Sequence, residues 1–165
     1  MNARYIRRPR VALFEPRIPQ NTGTIGRSCL AFDLSLDIIK PTGFSFEDKY
    51  LKRAGLDYWS NVDFHLYETF EEYKEKFSNS RIVALTKKSN NSISNIDYKN
   101  TDILLFGRED TGLPDRIMSK CEIIAGIPMP GGENQVKKGG VRSLNLSVAC
   151  GIVCYSACLK LNLLT

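Results

Sequence analysis

The chain has 165 residues, of which 42% are hydrophobic and 25% are charged, a balance that predicts one compact domain with a buried core. Lys and Arg number 23 against 18 acidic residues, so the net charge of +5 permits an anionic partner such as RNA without requiring one. No apolar run approaches the roughly 20 residues of a membrane span, so no membrane-spanning segment is expected.

The N-terminus is basic, and its first ten residues contain no acid but include Arg4, Arg7, Arg8 and Arg10. No apolar segment follows, so it does not read as a secretory signal, and a cytoplasmic protein with reduced thiols is expected. Residues 1–9 are predicted to form a flexible arm, and residues 10–165 a single domain. The arm is expected to add nonspecific affinity for an RNA backbone.

Short apolar runs alternate with helical patterns along the rest of the chain. In chain order we predict a strand at 11–15, a helix at 22–32, a strand at 34–39, helices at 47–54 and 68–77 flanking a strand at 62–67, strands at 81–86 and 102–106, a helix at 114–120, a strand at 121–127 and a helix at 144–161. Loops are predicted at 87–100 and 128–142 from their Ser, Asn, Gly and Pro content. The alternation predicts an α/β fold, a mostly parallel sheet with helices on both faces.

Composition excludes several catalytic and metal-binding classes. The single histidine, His65, rules out a zinc site that needs two histidines, and no G-x-S-x-G segment supplies a hydrolase serine. No C-x-x-C pair, dinucleotide-binding glycine motif or P-loop is present. Cys150, Cys154 and Cys158 share one helix face, where packing as small apolar residues is favoured over a metal site. We therefore predict no metal.

The first group of candidate functional residues follows the first strand, in the segment N-T-G-T-I-G-R from Asn21 to Arg27. Ligands of open α/β sheets bind where strands pass into helices, and the amides at a helix N-terminus attract phosphate. Asn21 is either a ligand-binding residue or a helix cap, and Arg27 is either functional or a solvated charge.

The second group follows the strand at 102–106. Gly107 either lets a ligand approach the backbone closely or belongs to an ordinary tight turn. Glu109 comes shortly after the strand end, where it either binds a ligand or braces the site, unless its charge is incidental to the turn. Pro114 suits the first turn of the following helix.

The third group precedes the last helix. Ser143 and Asn145 either cap that helix or direct a polar group into a cleft. Lys137, Lys138 and Arg142 make the preceding glycine-rich loop basic, which suits contact with an RNA backbone, although solvation alone also explains these charges.

Together the three groups resemble the motifs of the SPOUT superfamily of RNA methyltransferases: N-T-G-x-x-x-R at 21–27, L-x-F-G-x-E-x-x-G-L-P at 104–114, and I-P-M followed by S-L-N-L-S-V-A within 127–149. A fourth segment narrows the likeness. P-T-G-F at 41–44, D-K at 48–49 and K-R-A-G-L-D-Y at 52–58 resemble the branch of tRNA (cytidine/uridine-34-2'-O)-methyltransferases. The resemblance spans residues 10–161, nearly the whole chain.

This resemblance implies a fold, a cofactor and a set of site residues. The family fold ends in a deep trefoil knot, binds S-adenosylmethionine in the knotted loops without a metal, and works as a homodimer. Carried over by position, the cofactor-binding residues are Leu85, Gly107, Ile127, Ser143 and Leu144. The catalytic residues are Arg27, Glu109, Ser143 and Asn145. The substrate-binding residues are Asn21, Arg27, Lys137, Lys138 and Arg142, toward the tRNA anticodon stem-loop.

The implied reaction is methylation of the ribose 2'-OH at the wobble position, and two roles for Arg27 are open. The family proposal makes the arginine a general base, yet arginine is effectively always protonated in proteins. Arg27 alternatively holds an RNA phosphate and orients the hydroxyl, and another group accepts the proton. In either role Arg27 is expected to be essential.

Two other functions compete with this interpretation. One is a non-catalytic RNA-binding protein on the same fold, and the other is a 2'-O-methyltransferase acting on another tRNA or rRNA position. The loop at 130–142 is longer than the family pattern and the basic arm is additional. For the dimer interface the small-residue face of the last helix is the candidate, with Cys150, Cys154 and Tyr155.

Overall fold

The computed structural model describes residues 7–46, 58–130 and 140–164. The strands in these ranges are β1 (Arg10–Phe14), β2 (Ser35–Ile39), β3 (Phe64–Tyr67), β4 (Ile82–Leu85), β5 (Ile103–Phe106) and β6 (Ile123–Ala125). The helices are α1 (Pro19–Phe32), α2 (Phe70–Lys76), α3 (Asp115–Met118) and α4 (Leu146–Lys160). These strands form one parallel sheet in the order β3-β2-β1-β5-β4-β6. The predicted α/β fold with a mostly parallel sheet is confirmed.

Most predicted elements occur where expected, with ends shifted by up to three residues. β1 ends at Phe14 because Glu15 adopts a left-handed backbone conformation (φ 49°), which a strand cannot continue. The predicted loop at 87–100 contains a 3-10 turn, Ile93–Asn95, and another 3-10 turn, Trp59–Asn61, precedes β3. The predicted helix at 47–54 lies outside the described residues.

Helix α1 begins earlier than the pattern predicts. Pro19 starts it, because a proline has a preset φ and lacks the amide that a first helical residue leaves unpaired. Asp33 ends it in a left-handed conformation (φ 55°), with its amide donating to the carbonyls of Cys29 and Leu30. Asn21 therefore lies inside the helix and does not cap it, which leaves its side chain for tertiary contacts.

The two faces of the sheet bury separate apolar layers. Val11 and Leu13 point to the layer under α1 and α4, and Ala12 and Phe14 point to the layer under α2 and α3. This alternation follows from the two-residue period of a strand. α1 and α4 also pack against each other. The prediction of helices on both faces is confirmed.

The cysteines of α4 belong to the core. Cys150, Cys154 and Cys158 are fully buried, and the Sγ atoms of Cys150 and Cys154 are 3.8 Å apart. Burial raises the pKa of the neighbouring Cys29 thiol well above its usual value. Packing as small apolar residues is confirmed, and in the described ranges no three His, Cys, Asp or Glu side chains gather as for a metal ion. The expectation that Cys150 and Cys154 line a dimer interface is wrong, because the chain's own core covers them; Tyr155 is exposed.

Arg10 is part of the sheet and not of the basic arm. Its Nε and Nη2 atoms each donate to a carboxylate oxygen of Asp37 at 2.6 Å, and the Tyr73 hydroxyl donates to Asp37 at 2.7 Å. Burial is the largest single effect and lowers the pKa of the Arg10 guanidinium, but the hydrogen bond and the charge of Asp37, with smaller contributions from Tyr73 and Tyr67, together outweigh it and raise the pKa. Arg10 therefore belongs to the sheet, because the partner of its charge is a buried carboxylate 27 residues away.

The remaining fold expectations concern the arm, the domain limits and the knot. Arg8 forms an ion pair of 2.9 Å with the exposed Asp33. The division into an arm at 1–9 and a domain at 10–165 stays a prediction, as does the trefoil knot. No helix in the described part of the chain is long and apolar enough to cross a membrane.

Candidate functional site

A cavity of about 510 Å³ opens at the carboxyl ends of β4, β5 and β6. Loops that follow parallel strands meet at one edge of the sheet, and this edge is where open α/β folds bind ligands. The N-terminal end of α1 and the segment leading into α4 close its other sides. It is lined by residues 18, 21, 85–88, 106–113, 126–127, 129, 142–146, 149 and 153.

The sequence-predicted cofactor-binding residues all line this cavity: Leu85, Gly107, Ile127, Ser143 and Leu144. Of the other predicted site residues, Asn21, Glu109, Arg142 and Asn145 also line it. Lys137 and Lys138 lie outside the described residues. Residues from all three motifs therefore line one cavity. Arg27, the predicted catalytic arginine, is not among the lining residues.

Glu109 braces the cavity by joining the loop after β5 to the start of α1. Its carboxylate accepts hydrogen bonds from the backbone amides of Arg17 (2.8 Å) and Ile18 (3.1 Å) and from Nδ2 of Asn21 (3.3 Å). An anion is well placed here, since it lies at the N-terminal end of α1, which is the positive end of the helix dipole. Of the three interpretations left open by the sequence, a ligand contact, a brace or an incidental charge, the contacts of Glu109 favour the brace.

Asn145 joins the third motif to the same network. Its Oδ1 accepts hydrogen bonds from the amides of Ser147 (2.8 Å) and Val148 (3.4 Å) and therefore caps α4. Its Nδ2 donates to Oδ1 of Asn21 at 3.0 Å. Asn21 is thus bonded to both Glu109 and Asn145, so one buried amide holds the ends of two helices and the β5 loop at fixed separations.

Replacing Glu109 with glutamine is expected to destabilise the fold by about 1–3 kcal/mol, because one acceptor oxygen is lost and an NH₂ group faces backbone donors. Urea denaturation measures this change. Asp110→Asn is the matched control: Asp110 is exposed and pairs with Arg108 on the rim, so a change of at most about 1 kcal/mol is expected. Equal urea midpoints for Glu109→Gln and the wild type would contradict the bracing role.

Residue 107 must be glycine, because the backbone at 112–113 passes too close to it to leave room for a side chain. A Cβ at this position would lie 2.3 Å from the carbonyl carbon of Gly112 and from the amide nitrogen of Leu113. These neighbours are backbone atoms that no side-chain rotation can move. The loop at 107–113, which forms one wall of the cavity, therefore closes only with glycine at its first residue.

The rim of the cavity includes charged residues that the sequence analysis did not identify as candidates. Lys87 and Lys88 line it, separated by one residue from the end of β4, and Arg108 lines it while paired with Asp110 at 2.7 Å. The hydrogen bond from Arg108 lowers the pKa of the Asp110 carboxyl. The position of Lys87 and Lys88 at a strand's carboxyl end was the signal that could have indicated them.

Arg27 lies about 9 Å further along α1 than Asn21, at 1.5 Å per helical residue. Its side chain is exposed, and its guanidinium carbon lies 5.6 Å from the centre of the Tyr58 ring. The position of Arg27 suits contact with a bound macromolecule beside the cavity better than contact with a small ligand inside it.

Comparison with known proteins identifies the fold family. The SpoU rRNA Methylase family matches residues 8–155. The chain belongs to this family. The resemblance to RNA methyltransferases inferred from the three motifs is thereby confirmed, and the cavity formed by those motifs is the candidate active site of a SpoU methylase.

Three relatives show how close the likeness is. A tRNA (cytidine(34)-2'-O)-methyltransferase of Yersinia pestis is 40% identical over 152 residues, which are 89% of this chain and 90% of that protein. A solved structure concerned with the 2-OH methylation of C/U34 on tRNA is 36% identical with a TM-score of 0.86, covering 94% of this chain and 97% of that one. An AdoMet-bound rRNA methyltransferase from Sinorhizobium meliloti is 26% identical with a TM-score of 0.79, covering 96% of this chain and 57% of that one.

The cavity of this SpoU methylase fits S-adenosylmethionine in size and chemistry. Its volume falls within the roughly 300–1,000 Å³ typical of small-molecule sites. Leu85, Ile127 and Leu144 supply apolar walls, and Thr86 and Ser143 supply hydroxyl groups. A cofactor that joins a flat base, a ribose and a charged amino acid needs this combination.

Proposed function

We propose that this SpoU methylase transfers a methyl group from S-adenosylmethionine to the ribose 2'-OH of the tRNA wobble nucleotide, cytidine or uridine 34. The observation that carries the proposal is the single cavity onto which the three motifs converge. The substrate is supported by the relatives that act on C/U34 of tRNA and by the segment at 41–58 that resembles their branch.

The chain's own residues then have distinct parts in the reaction. S-adenosylmethionine supplies an electrophilic methyl group on a sulfonium. Leu85, Gly107, Ile127, Ser143 and Leu144 are the residues that would hold it. The bonded side chains of Asn21, Glu109 and Asn145 keep the walls of the cavity in one arrangement, so Glu109 and Asn145 act by positioning. Positioning supplies much of the rate when the reaction needs an in-line approach.

Arg27 is proposed to hold a phosphate of the tRNA next to the reacting nucleotide. A guanidinium stays charged at neutral pH and binds phosphate with two parallel hydrogen bonds, whereas a general base must accept a proton. Its exposure on α1, beside the cavity and not in it, agrees with binding a macromolecule. Holding the phosphate orients the 2'-OH, and a neighbouring group accepts its proton.

The test is methyl transfer to tRNA by the wild type and by Arg27→Ala, with the methylated nucleotide mapped by mass spectrometry. We expect a 2'-O-methyl group on nucleotide 34 with the wild type and a loss of about 100-fold or more with Arg27→Ala, since a charge-assisted contact to the reacting region is removed. Arg116→Ala is the matched control, because Arg116 is exposed on α3 across the sheet.

Each contrary outcome supports a different function. Methyl transfer to another tRNA position or to rRNA would identify a different 2'-O-methyltransferase. Binding of tRNA without methyl transfer would identify a non-catalytic RNA-binding protein. Near wild-type activity of Arg27→Ala would refute the essential role of that residue.

The anticodon stem-loop is the proposed tRNA partner, and basic residues around the site are proposed to contact its phosphates. Arg142 lines the cavity, and Lys137 and Lys138 belong to the same basic segment of the sequence. The arginines of residues 1–9 are proposed to add nonspecific affinity. The cytoplasm is the proposed location, because tRNA is the substrate and the five cysteines are free thiols.

We also propose that the methylase is a homodimer built on the outer face of α4. Val148, Ile152, Tyr155 and Leu159 are exposed apolar residues spaced by four, three and four positions, so they form one stripe along the helix. Leu30 of the neighbouring α1 is an exposed apolar residue as well. A continuous apolar patch on a folded chain supports a partner surface, and the family resemblance implies a second copy as that partner.

Sedimentation velocity tests the dimer. The wild type is expected to sediment as a species of twice the chain mass. Ile152→Glu is expected to sediment as a monomer, because a charge at the centre of the stripe has no partner to offset its desolvation. Leu66→Glu is the control: Leu66 has a similar exposure but lies on the edge strand β3. A wild-type monomer at micromolar concentration, or an unchanged Ile152→Glu dimer, would contradict the proposal.

A further inference from the structure

The turn that precedes β3 is seated on α1. Trp59 packs against Phe64, with ring centres 5.4 Å apart, and its ring also lies against Gly26. A Cβ on Gly26 would lie 2.4 Å from the Trp59 ring, so the ring occupies this position against α1 only because residue 26 has no side chain. The position of residues 58–59 relative to α1 is therefore closely defined.

Tyr58 contacts α1 at two points one helical turn apart. Its hydroxyl donates to the carbonyl oxygen of Gly23 at 3.2 Å, and its ring faces the guanidinium of Arg27 at 5.6 Å. Gly23 is four residues before Arg27, and its carbonyl is the helical acceptor for the Arg27 amide. A carbonyl has two lone pairs, so both bonds are possible at once. The Tyr58 side chain is therefore anchored by its hydroxyl to the carbonyl group that accepts the Arg27 amide, while its ring contacts the guanidinium of the same arginine.

The contact constrains Arg27 without neutralising it. Arginine has four rotatable side-chain bonds, and an exposed one samples many conformations. Among the described residues no carboxylate forms an ion pair with Arg27. A ring face attracts the guanidinium and limits its orientations while leaving its edge, with the N–H donors, open.

We propose that Tyr58 is a positioning residue for methyl transfer, which holds the Arg27 guanidinium ready for the substrate phosphate through its ring face. The inference rests on the proposed function of Arg27. It assigns a role to a residue that does not line the cavity, and it explains why the turn at 58–59 is fastened to α1 at Gly23 and Gly26.

Kinetics of Tyr58→Leu and Tyr58→Phe test the role. Tyr58→Leu is expected to lower kcat about 3- to 10-fold, with a smaller change in KM for tRNA, because Arg27 is less often in its productive orientation. Tyr58→Phe keeps the ring and is expected to recover most of that loss. Affinity for S-adenosylmethionine, measured by calorimetry, should stay within about twofold in both variants, since Tyr58 does not line the cavity. In an Arg27→Ala background, Tyr58→Leu should cause no further loss.

A second measurement reads the contact without using activity. In the NMR spectrum of the labelled full chain, the Arg27 side-chain protons should be shifted upfield by the Tyr58 ring in the wild type and in Tyr58→Phe, and not in Tyr58→Leu. Wild-type kcat in Tyr58→Leu, or equal losses of kcat and cofactor affinity, would overturn the proposal. If the wild type methylates no tRNA, the proposed function fails by itself, and an unshifted Arg27 spectrum would then overturn the role of Tyr58 separately.

Discussion

A single added methyl group at Gly107 is expected to weaken binding of S-adenosylmethionine by about 100-fold or more, equivalent to about 2.7 kcal/mol. The Cβ of Gly107→Ala would lie 2.3 Å from two backbone atoms of Gly112 and Leu113. The loop at 107–113 must open to admit it, and that loop forms one wall of the cavity. Isothermal calorimetry with the wild type and the variant measures the change.

Gly151→Ala is the matched control for this substitution. Gly151 lies in α4 and does not line the cavity, and a Cβ there would meet no atom of the same chain within 4 Å, so cofactor affinity should not change. Wild-type affinity in Gly107→Ala would show that the cofactor binds elsewhere. Circular dichroism verifies that each variant is folded.

Arg10→Ala is expected to lower the free energy of unfolding by about 3–5 kcal/mol, a large part of the roughly 5–15 kcal/mol typical of a folded domain. Asp37 is fully buried, and Arg10 is the cation that bonds both of its carboxylate oxygens. Without Arg10 the carboxylate keeps only the Tyr73 hydroxyl as a side-chain partner among the described residues. Urea denaturation measures the loss as a shift in midpoint.

Two comparisons separate this effect from the loss of a surface charge. Arg8→Ala removes an ion pair with the exposed Asp33 and should cost at most about 1 kcal/mol. Replacing the whole polar group, as Arg10→Met with Asp37→Leu and Tyr73→Phe, should be less destabilising than Arg10→Ala alone, because no buried charge is left unpaired. A midpoint for Arg10→Ala equal to that of Arg8→Ala would refute the buried pair as a source of stability.

In the candidate site, sequence patterns predicted the location of residues better than their roles. Motifs at the ends of strands predicted residues of the cavity wall, and all five residues that were predicted to bind the cofactor line it. The roles of individual polar residues did not follow in the same way. By residue type alone, Asn21 suits a helix cap, a ligand contact or a hydrogen bond between distant segments equally well. In the structure it lies inside α1 and is hydrogen-bonded to both Glu109 and Asn145, so it connects these segments.

The alternation of strands and helices, the helices on both faces of the sheet and the family were all predictable from the sequence, because hydrophobic period, turn residues and motif spacing are local properties of the chain. Which distant groups meet became known from the folded structure alone. Asn145 bonds Asn21 across 124 positions, Arg17 bonds Glu109 across 92, and Arg10 pairs with Asp37 across 27. Such partners are set by strand order and helix packing, since a buried polar group is stable only where the fold brings its complement.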